Sequence, residues 1–566
     1  MSLSLERTAS LIVSHSRLLL DAIASSPAFS LSRNLVFAYA LCSLSATAYR
    51  ELWARGPLGI FSDLYRSASK LFFRYLLRAP GIRDKVDAEV SKVLVSMEQQ
   101  MVPRGPDITY YRELPQHGWS EEQIIAEMQH LSLMQHSAWE AGKVSGAVYH
   151  GGKELIDLQT QAYGMFSVAN QLHPDVFPDV RKMEAEVVTM VLNLFNAPQH
   201  SGVGTTTSGG TESLLLACLS AKMKAYHERH VTQPEIIAPI TVHAGFDKAA
   251  YYFGIKLRHA PMDPVTYKVN LKAVRRMINS NTVLIAGSAP NFPHGIIDDI
   301  EGLSKLALRY KIPLHVDACL GSFVVPYLER VYREIDPTVN VPVVDFRLPG
   351  VTSISCDTHK YGFAPKGSSI IMYRDSSYRR HQYFLATDWS GGVYASPTLA
   401  GSRPGALIAG CWATLMKMGD DGYYSSAKSI VEAARLIRSS IAADIPQLTV
   451  LGDPISSVVA FTSSTLNIYE VADSMVAKGW HLSALQNPAA LHIACTKLTT
   501  ESCVMLVRDL KDSVAQIELA HGAESESDIK KKQGDTAMLY GVAGSVSTNG
   551  VVDEMVYGFL DNLYKA

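Results

Sequence analysis

The chain has 566 residues, more than one hydrophobic core organises, so two or three domains are expected. Hydrophobic residues make up 47% and charged residues 19%, the balance of an ordinary globular protein, and a formal net charge of −2 gives no reason to expect a nucleic-acid partner. The seven cysteines (Cys42, Cys218, Cys319, Cys356, Cys411, Cys495, Cys503) lack C-x-x-C spacing, and their odd number argues against a disulfide framework and for a reducing compartment. No metal site is assigned. The absence of any Asn-x-Ser/Thr sequon agrees with a cytosol-facing body.

Near the N-terminus an uncharged run, Asn34 to Tyr49, lies between Arg33 and Arg50. At 1.5 Å per residue it reaches roughly 24 Å, short of a ~30 Å hydrocarbon core, although flanking arginines extend the reach by snorkelling. Read from the residues, a membrane span and an amphipathic or buried helix stand level. Arg50, Arg55, Arg66, Lys70, Arg74, Arg78, Arg83 and Lys85 crowd the C-terminal side, which for a span places the rest of the chain in the cytosol. From Leu58 to Leu77, Arg66, Lys70 and Arg74 recur every fourth position, giving one basic and one apolar face. That pattern suits a helix lying on a membrane surface, or one packed on the body.

A helix is expected from Glu121 to Ala141 after the cap Ser120, with Glu121 and Glu122 in its first turn. Beyond it, the runs Ile236–His243, Thr282–Ser288, Ile312–Val316, Ser353–Ser355 and Ser369–Tyr373 read as buried strands, with helical stretches such as Ile300–Tyr310 between them. This alternation predicts an α/β fold with a mostly parallel central sheet. Helices over 407–418 and 423–441 lead to a smaller C-terminal α/β domain, and the charged stretch 524–534 reads as a solvated loop. The expected organisation is an N-terminal segment (1–57), a helical segment (58–165), a large domain (166–405) and a small domain (406–566).

Three stretches carry the chemistry. Thr205-Thr-Thr-Ser-Gly-Gly-Thr-Glu-Ser213 precedes a helical run, so Gly209, Gly210 and Thr211 offer backbone N–H groups and a helix dipole to a phosphate. Ile312-Pro-Leu-His-Val-Asp-Ala-Cys-Leu-Gly-Ser322 is a strand ending in Asp317, and Ser353 to Ser368 holds His359-Lys360 in a Gly-punctuated turn. An anion cradle, a buried carboxylate and a lysine, in that order, are the parts that hold pyridoxal 5'-phosphate: Lys360 as the covalent attachment point and Asp317 as partner of the pyridinium nitrogen. Ligands on such sheets gather beyond the C-terminal strand ends, where His243, Asp317 and Lys360 fall.

These stretches, with Tyr163–Arg181, His243–Ala249, Pro290–Asp298 and Thr387–Gly405, resemble the pyridoxal-phosphate-dependent decarboxylase superfamily of fold type I. Within it they resemble the sphingosine-1-phosphate lyases more than the amino-acid decarboxylases, from about Asp107 to the C-terminus. The resemblance implies a pyridoxal-phosphate-dependent transferase-like fold and a homodimer with sites shared across its interface. The substrate it implies is a phosphorylated sphingoid base, cleaved between C2 and C3. It also implies one N-terminal anchor in the endoplasmic reticulum membrane, with the catalytic domain facing the cytosol, which favours the span at 34–49. His243 is expected to stack on the cofactor ring and His359 to join Gly209, Gly210 and Thr211 at its phosphate. Tyr149, His173, Lys366 and Ser402 match the substrate-phosphate site, with Tyr149 and His173 supplied from the opposite subunit. The base for the C3 hydroxyl stays open between Lys366, Tyr361 and the substrate phosphate.

Overall fold

Two of the apolar runs, Thr282–Ser288 and Ser369–Tyr373, are strands with the predicted bounds, each buried along its whole length. In the computed structural model, which describes residues 26–76, 81–105, 108–134, 136–523 and 549–566, they belong to a seven-stranded sheet. Its strands are β1 (Val203–Thr207), β2 (Glu235–Pro239), β3 (Lys256–Ala260), β4 (Thr282–Ser288), β5 (Leu314–Asp317), β6 (Val351–Cys356) and β7 (Ser369–Tyr373), in the order β1-β7-β6-β5-β4-β2-β3. All pairings are parallel except those of β7, which runs against both β1 and β6. Strands buried on both faces need helices on both sides, so the intervening segments supply them. The helix Ile300–Tyr310 illustrates the rule. Asp299 caps it by accepting from Gly302 N–H at 2.8 Å, and Ile300, Leu303, Ser304 and Ala307 form its buried stripe.

A second sheet, antiparallel and four-stranded, joins Thr449–Val450, Val458–Thr462, Ala490–Ala494 and Ser483–Leu485. The helix Gly405–Asp444 leads to it, broken at Gly419, whose φ of 57° and ψ of −178° only glycine adopts readily. The two helices predicted over 407–418 and 423–441 fall on either side of that break. A β8–β9 hairpin (Phe384–Ala386 and Tyr394–Ser396) carries the Thr387–Gly405 motif.

The chain divides into two compact units, Met1–Ser67 and Ala68–Ala566. The two N-terminal segments expected at 34–49 and 58–77 form one helix, Pro27–Leu76, which continues through Pro57 and keeps Leu35, Val36, Phe37, Tyr39, Trp53 and Phe61 exposed. Among the described residues no helix is long and apolar enough to cross a membrane.

Further boundaries differ from the sequence reading: β5 starts two residues after Ile312 and takes in Asp317, and β6 extends beyond Ser353–Ser355 at both ends. The helix that starts at Glu121 has the predicted cap, Ser120 accepting from Gln123 N–H, but ends at Ser132 and not Ala141. None of its residues is buried, so its apolar positions gain nothing from packing to extend it. Strand β2 ends at Pro239, short of His243, because Val242 N–H turns back to Pro239 O at 3.0 Å. The stretch 524–534 lies outside the described residues.

Candidate active site

The site collects where β5 and β6 end and the helix Gly210–Arg229 begins. Asp317, the last residue of β5, is 6% exposed, and its Oδ1 accepts from Cys319 N–H (3.1 Å) and Ser355 Oγ–H (3.3 Å). Among the described residues Oδ2 has no hydrogen-bond partner. β6 ends at Cys356, and the turn that follows carries Asp357, His359 and Lys360. Lys360 N–H donates to Asp357 O at 3.2 Å, and Lys360 Nζ lies 2.8 Å from Asp357 Oδ2, a carboxylate 2% exposed. Burial works against the lysine's charge, and the Asp357 carboxylate overrides it, holding the amine above its ordinary pKa. The structure gives Lys360 a buried counter-ion that sequence reasoning missed, although its position three residues ahead in a tight turn was the available signal.

Asp357 also faces the glycine turn. A Cβ on Gly210 would sit 2.7 Å from Asp357 Oδ1 and 3.0 Å from Cys319 Sγ, so only glycine lets the helix start this close to β6. Gly209 precedes the helix without any side-chain cap, and His359 Cε1 lies 3.7 Å from where its Cβ would be. The turn is braced from behind. Glu212 accepts from Ser208 N–H and Oγ–H, both at 2.7 Å, and from Leu399 N–H at 3.1 Å, tying it to the Thr387–Gly405 motif.

Lys366 comes to the same place. Its Nζ lies 4.8 Å from the centre of the Tyr149 ring, which meets Tyr361 edge-on with centroids 4.8 Å apart. Burial first, and Lys360's charge second, depress the Lys366 pKa. Burial pushes Tyr149 up to about 12, and Tyr361 Oη–H is committed to Cys495 O at 2.7 Å. Tyr149 meets Lys366 and Tyr361 of its own chain here. Its segment is held by Ser145 N–H to His481 O (2.8 Å) and Gly146 N–H to Ala494 O (3.0 Å).

Among the described residues the remaining positions make no hydrogen bond or ring contact with that cluster. His243 is exposed in the loop before the helix Gly245–Phe253, and its Nδ1 accepts from Gly245 N–H at 3.0 Å, which fixes the ring by its inner edge. His173 and Ser402 are both exposed and meet through Asn170, whose O accepts from His173 N–H (3.1 Å) and whose Nδ2 donates to Ser402 Oγ (3.1 Å). Among the described residues no hydrogen bond joins this pair to Lys360 or Lys366.

An uncapped helix N-terminus, a carboxylate with one open oxygen and a lysine are the donor set for a phosphorylated pyridine aldehyde. Asp357 Oδ1 and His359 Nδ1, buried and without hydrogen-bond partners among the described residues, mark the same spot as polar and unsatisfied. The residues present fit pyridoxal phosphate. Residues 108–464 match the pyridoxal-dependent decarboxylase conserved domain. A sphingosine-1-phosphate lyase of Saccharomyces cerevisiae is 53% identical over 542 residues, 96% of this chain and 90% of the yeast protein. The chain belongs to the sphingosine-1-phosphate lyase family. The family's Drosophila melanogaster lyase is 42% identical over 504 residues, 89% of this chain and 90% of that one. Among solved structures, a sphingosine-1-phosphate lyase of Burkholderia pseudomallei superposes with a TM-score of 0.71 at 41% identity, covering 74% of this chain and 96% of that one. A glutamate decarboxylase of Lactobacillus brevis, at 20% identity and a TM-score of 0.62, shares the fold. As a member of this family the chain is a pyridoxal-phosphate-dependent carbon–carbon lyase.

Proposed function

We propose that the chain cleaves the C2–C3 bond of phosphorylated sphingoid bases by a retro-aldol reaction, yielding a long-chain fatty aldehyde and phosphoethanolamine. The observation that carries this reading is the second amine, Lys366, which is exposed yet set beside Lys360 and over the buried ring of Tyr149. A decarboxylase must bind a carboxylate and let it leave, whereas a lyase of this kind must take the C3-hydroxyl proton and hold a second phosphate.

Lys360 would hold the cofactor, Asp317 its ring nitrogen, and Gly209, Gly210, Thr211 and His359 its phosphate, with His243 over the ring face. Bound there, pyridoxal phosphate supplies the electron sink for the breaking C–C bond. Asp357 keeps the released Lys360 amine paired. Tyr361 is unsuited as base, because its one proton is committed to Cys495 O and burial holds its pKa well above the ordinary value. Lys366, with a depressed pKa and no hydrogen-bond partner among the described residues, has the chemistry to take the hydroxyl proton and, charged, to hold the substrate phosphate with Tyr149.

His173 and Ser402 complete the phosphate site in a homodimer. The exposed Met165, Val168 and Val176 near His173, and Leu385, Trp389 and Val393 before Ser402, give that dimer an apolar surface to cover. The exposed apolar residues of Pro27–Leu76 attach the chain to the endoplasmic reticulum membrane, with the catalytic body in the cytosol. The large (166–405) and small (406–566) domains are read as the two halves that enclose the site. Incubation with a phosphorylated sphingoid base should release a long-chain aldehyde. Release of carbon dioxide from glutamate, with no aldehyde from the sphingoid base, would refute the reading.

A further inference from the structure

Beneath Asp317 lies a line of polar side chains that no step above uses. Parallel pairing sets His315 opposite Ser353 and Asp317 opposite Ser355, and because residues two apart share a strand face, all four stand together between β5 and β6. His315 and Ser355 are fully buried and Ser353 is nearly so. His315 Nδ1 lies 2.9 Å from Ser353 Oγ, His315 Nε2 lies 3.1 Å from Ser355 Oγ, and Ser355 Oγ lies 3.3 Å from Asp317 Oδ1. Phe246 covers the imidazole edge-on, with ring centroids 5.9 Å apart.

The protons in this line can be placed by counting. An ionised carboxylate only accepts, so the single Ser355 hydroxyl proton points at Asp317. Ser355 Oγ then has only lone pairs for the imidazole, so His315 Nε2 carries a proton and donates. Burial pushes His315 down to about 4, with Asp317 acting weakly the other way, so the ring is neutral and Nδ1 is bare. Ser353 Oγ–H donates to it. Each hydroxyl and ring proton thus points towards Asp317, and donors aligned in this way polarise one another.

We propose that His315 is a positioning residue which, through Ser355, holds the Asp317 carboxylate in place for the cofactor's ring nitrogen. The proposal rests on the reading of Asp317 given above. With Oδ1 held by Cys319 N–H and Ser355 Oγ–H, Oδ2 is left for the ring nitrogen.

The test uses full-length holoenzyme and three variants: Ser355→Ala, which removes the donor to Asp317, His315→Leu, which removes the imidazole, and His315→Gln, whose amide nitrogen restores a donor near Nε2. The readouts are the equilibrium dissociation constant for pyridoxal phosphate without substrate and the pH midpoint of the visible absorbance of the lysine-bound cofactor. Ser355→Ala and His315→Leu should each weaken cofactor binding on the order of tenfold to a hundredfold. They should also move the midpoint upward, because a deprotonated ring withdraws fewer electrons from the lysine linkage, whose nitrogen then keeps its proton to higher pH. His315→Gln should lie close to wild type in both. Wild-type dissociation constant and midpoint in Ser355→Ala overturn the proposal, whether or not His315→Leu folds. His315→Gln matching His315→Leu overturns it too, since packing and not the hydrogen bond would then matter. A wild-type protein with no lysine-linked absorbance would instead sink the reading of Lys360, a distinct outcome.

Discussion

Replacing Asp357 with Asn removes the charge that faces Lys360 while keeping the side chain's shape. The pair is close (2.8 Å) and one-sided, with the Asp357 side chain 2% exposed and that of Lys360 21%. Breaking a buried ion pair costs about 3–5 kcal/mol, and the partial exposure of Lys360 brings the expectation to roughly 2–3 kcal/mol. The sign follows from two opposed shifts. Burial alone would raise the Asp357 pKa, but Lys360 holds it below the usual carboxylate range, so its stabilising contribution is present above the unfolded value and is lost as pH falls through the folded one. Lys360, held above its ordinary value, contributes at all pH values below the lysine range and loses that contribution only as pH rises through the folded pKa. Thermal melts of cofactor-free wild type and Asp357→Asn should therefore differ by a few degrees at pH 7. The gap should narrow in acid, where the wild-type carboxylate takes up a proton. Without its counter-ion, Lys360 is left to burial, which favours the neutral amine. Cofactor incorporation by the variant should depend less on pH between 7 and 9 than in wild type, where the rate should climb with pH. Equal melts together with equal pH dependence would refute the claim that Asp357 governs the lysine's charge.

Ser402→Ala should lower catalytic efficiency towards a phosphorylated sphingoid base about ten- to a hundredfold, from losing a charge-assisted contact of about 1.5–3 kcal/mol, and Lys366→Ala should lower it further and lower kcat too, as loss of the base, with cofactor occupancy by absorbance unchanged in both. Gly210→Ala forces a methyl group against the Asp357 carboxylate, at an overpacking cost of about 1–3 kcal/mol, and should weaken cofactor binding measured by titration. His315 and His492, both fully buried, are pushed down to about 4 by burial, so the folded state binds fewer protons than the unfolded one. Stability should be full above pH 6.5 and fall towards pH 4, by up to about 3 kcal/mol for each residue, as read by urea melts at pH 7 and pH 5. Deleting residues 1–55 should leave a soluble and active protein, because every site residue lies beyond Asp107; a soluble but inactive product would place part of the site in the N-terminal segment.

What the sequence made legible follows from where local chemistry decides structure. β4 and β7 were readable to the residue because an unbroken apolar run between turn residues has few other fates. Asp317 and Lys360 were readable because a strand end and a glycine-flanked turn announce themselves locally. The early end of β2 depends on a hydrogen bond from Val242 back to Pro239, and the short helix at Glu121 on the absence of a packing partner, neither of which periodicity reports. The contacts that bring Tyr149 beside Lys366 are long-range, with Ser145 and Gly146 bonded to residues more than 300 positions away. The polar line from Ser353 to Asp317 needed the β5–β6 register, since His315 by itself reads as one more apolar-strand residue.

The central claim, that Lys360 carries the cofactor in this lyase, is tested most directly by borohydride reduction of the purified holoenzyme, proteolysis and mass spectrometry. The account predicts a single pyridoxyl-modified peptide, the one containing Lys360. Modification of Lys366 or another lysine in its place, or a reduced protein with no modified lysine, would contradict it.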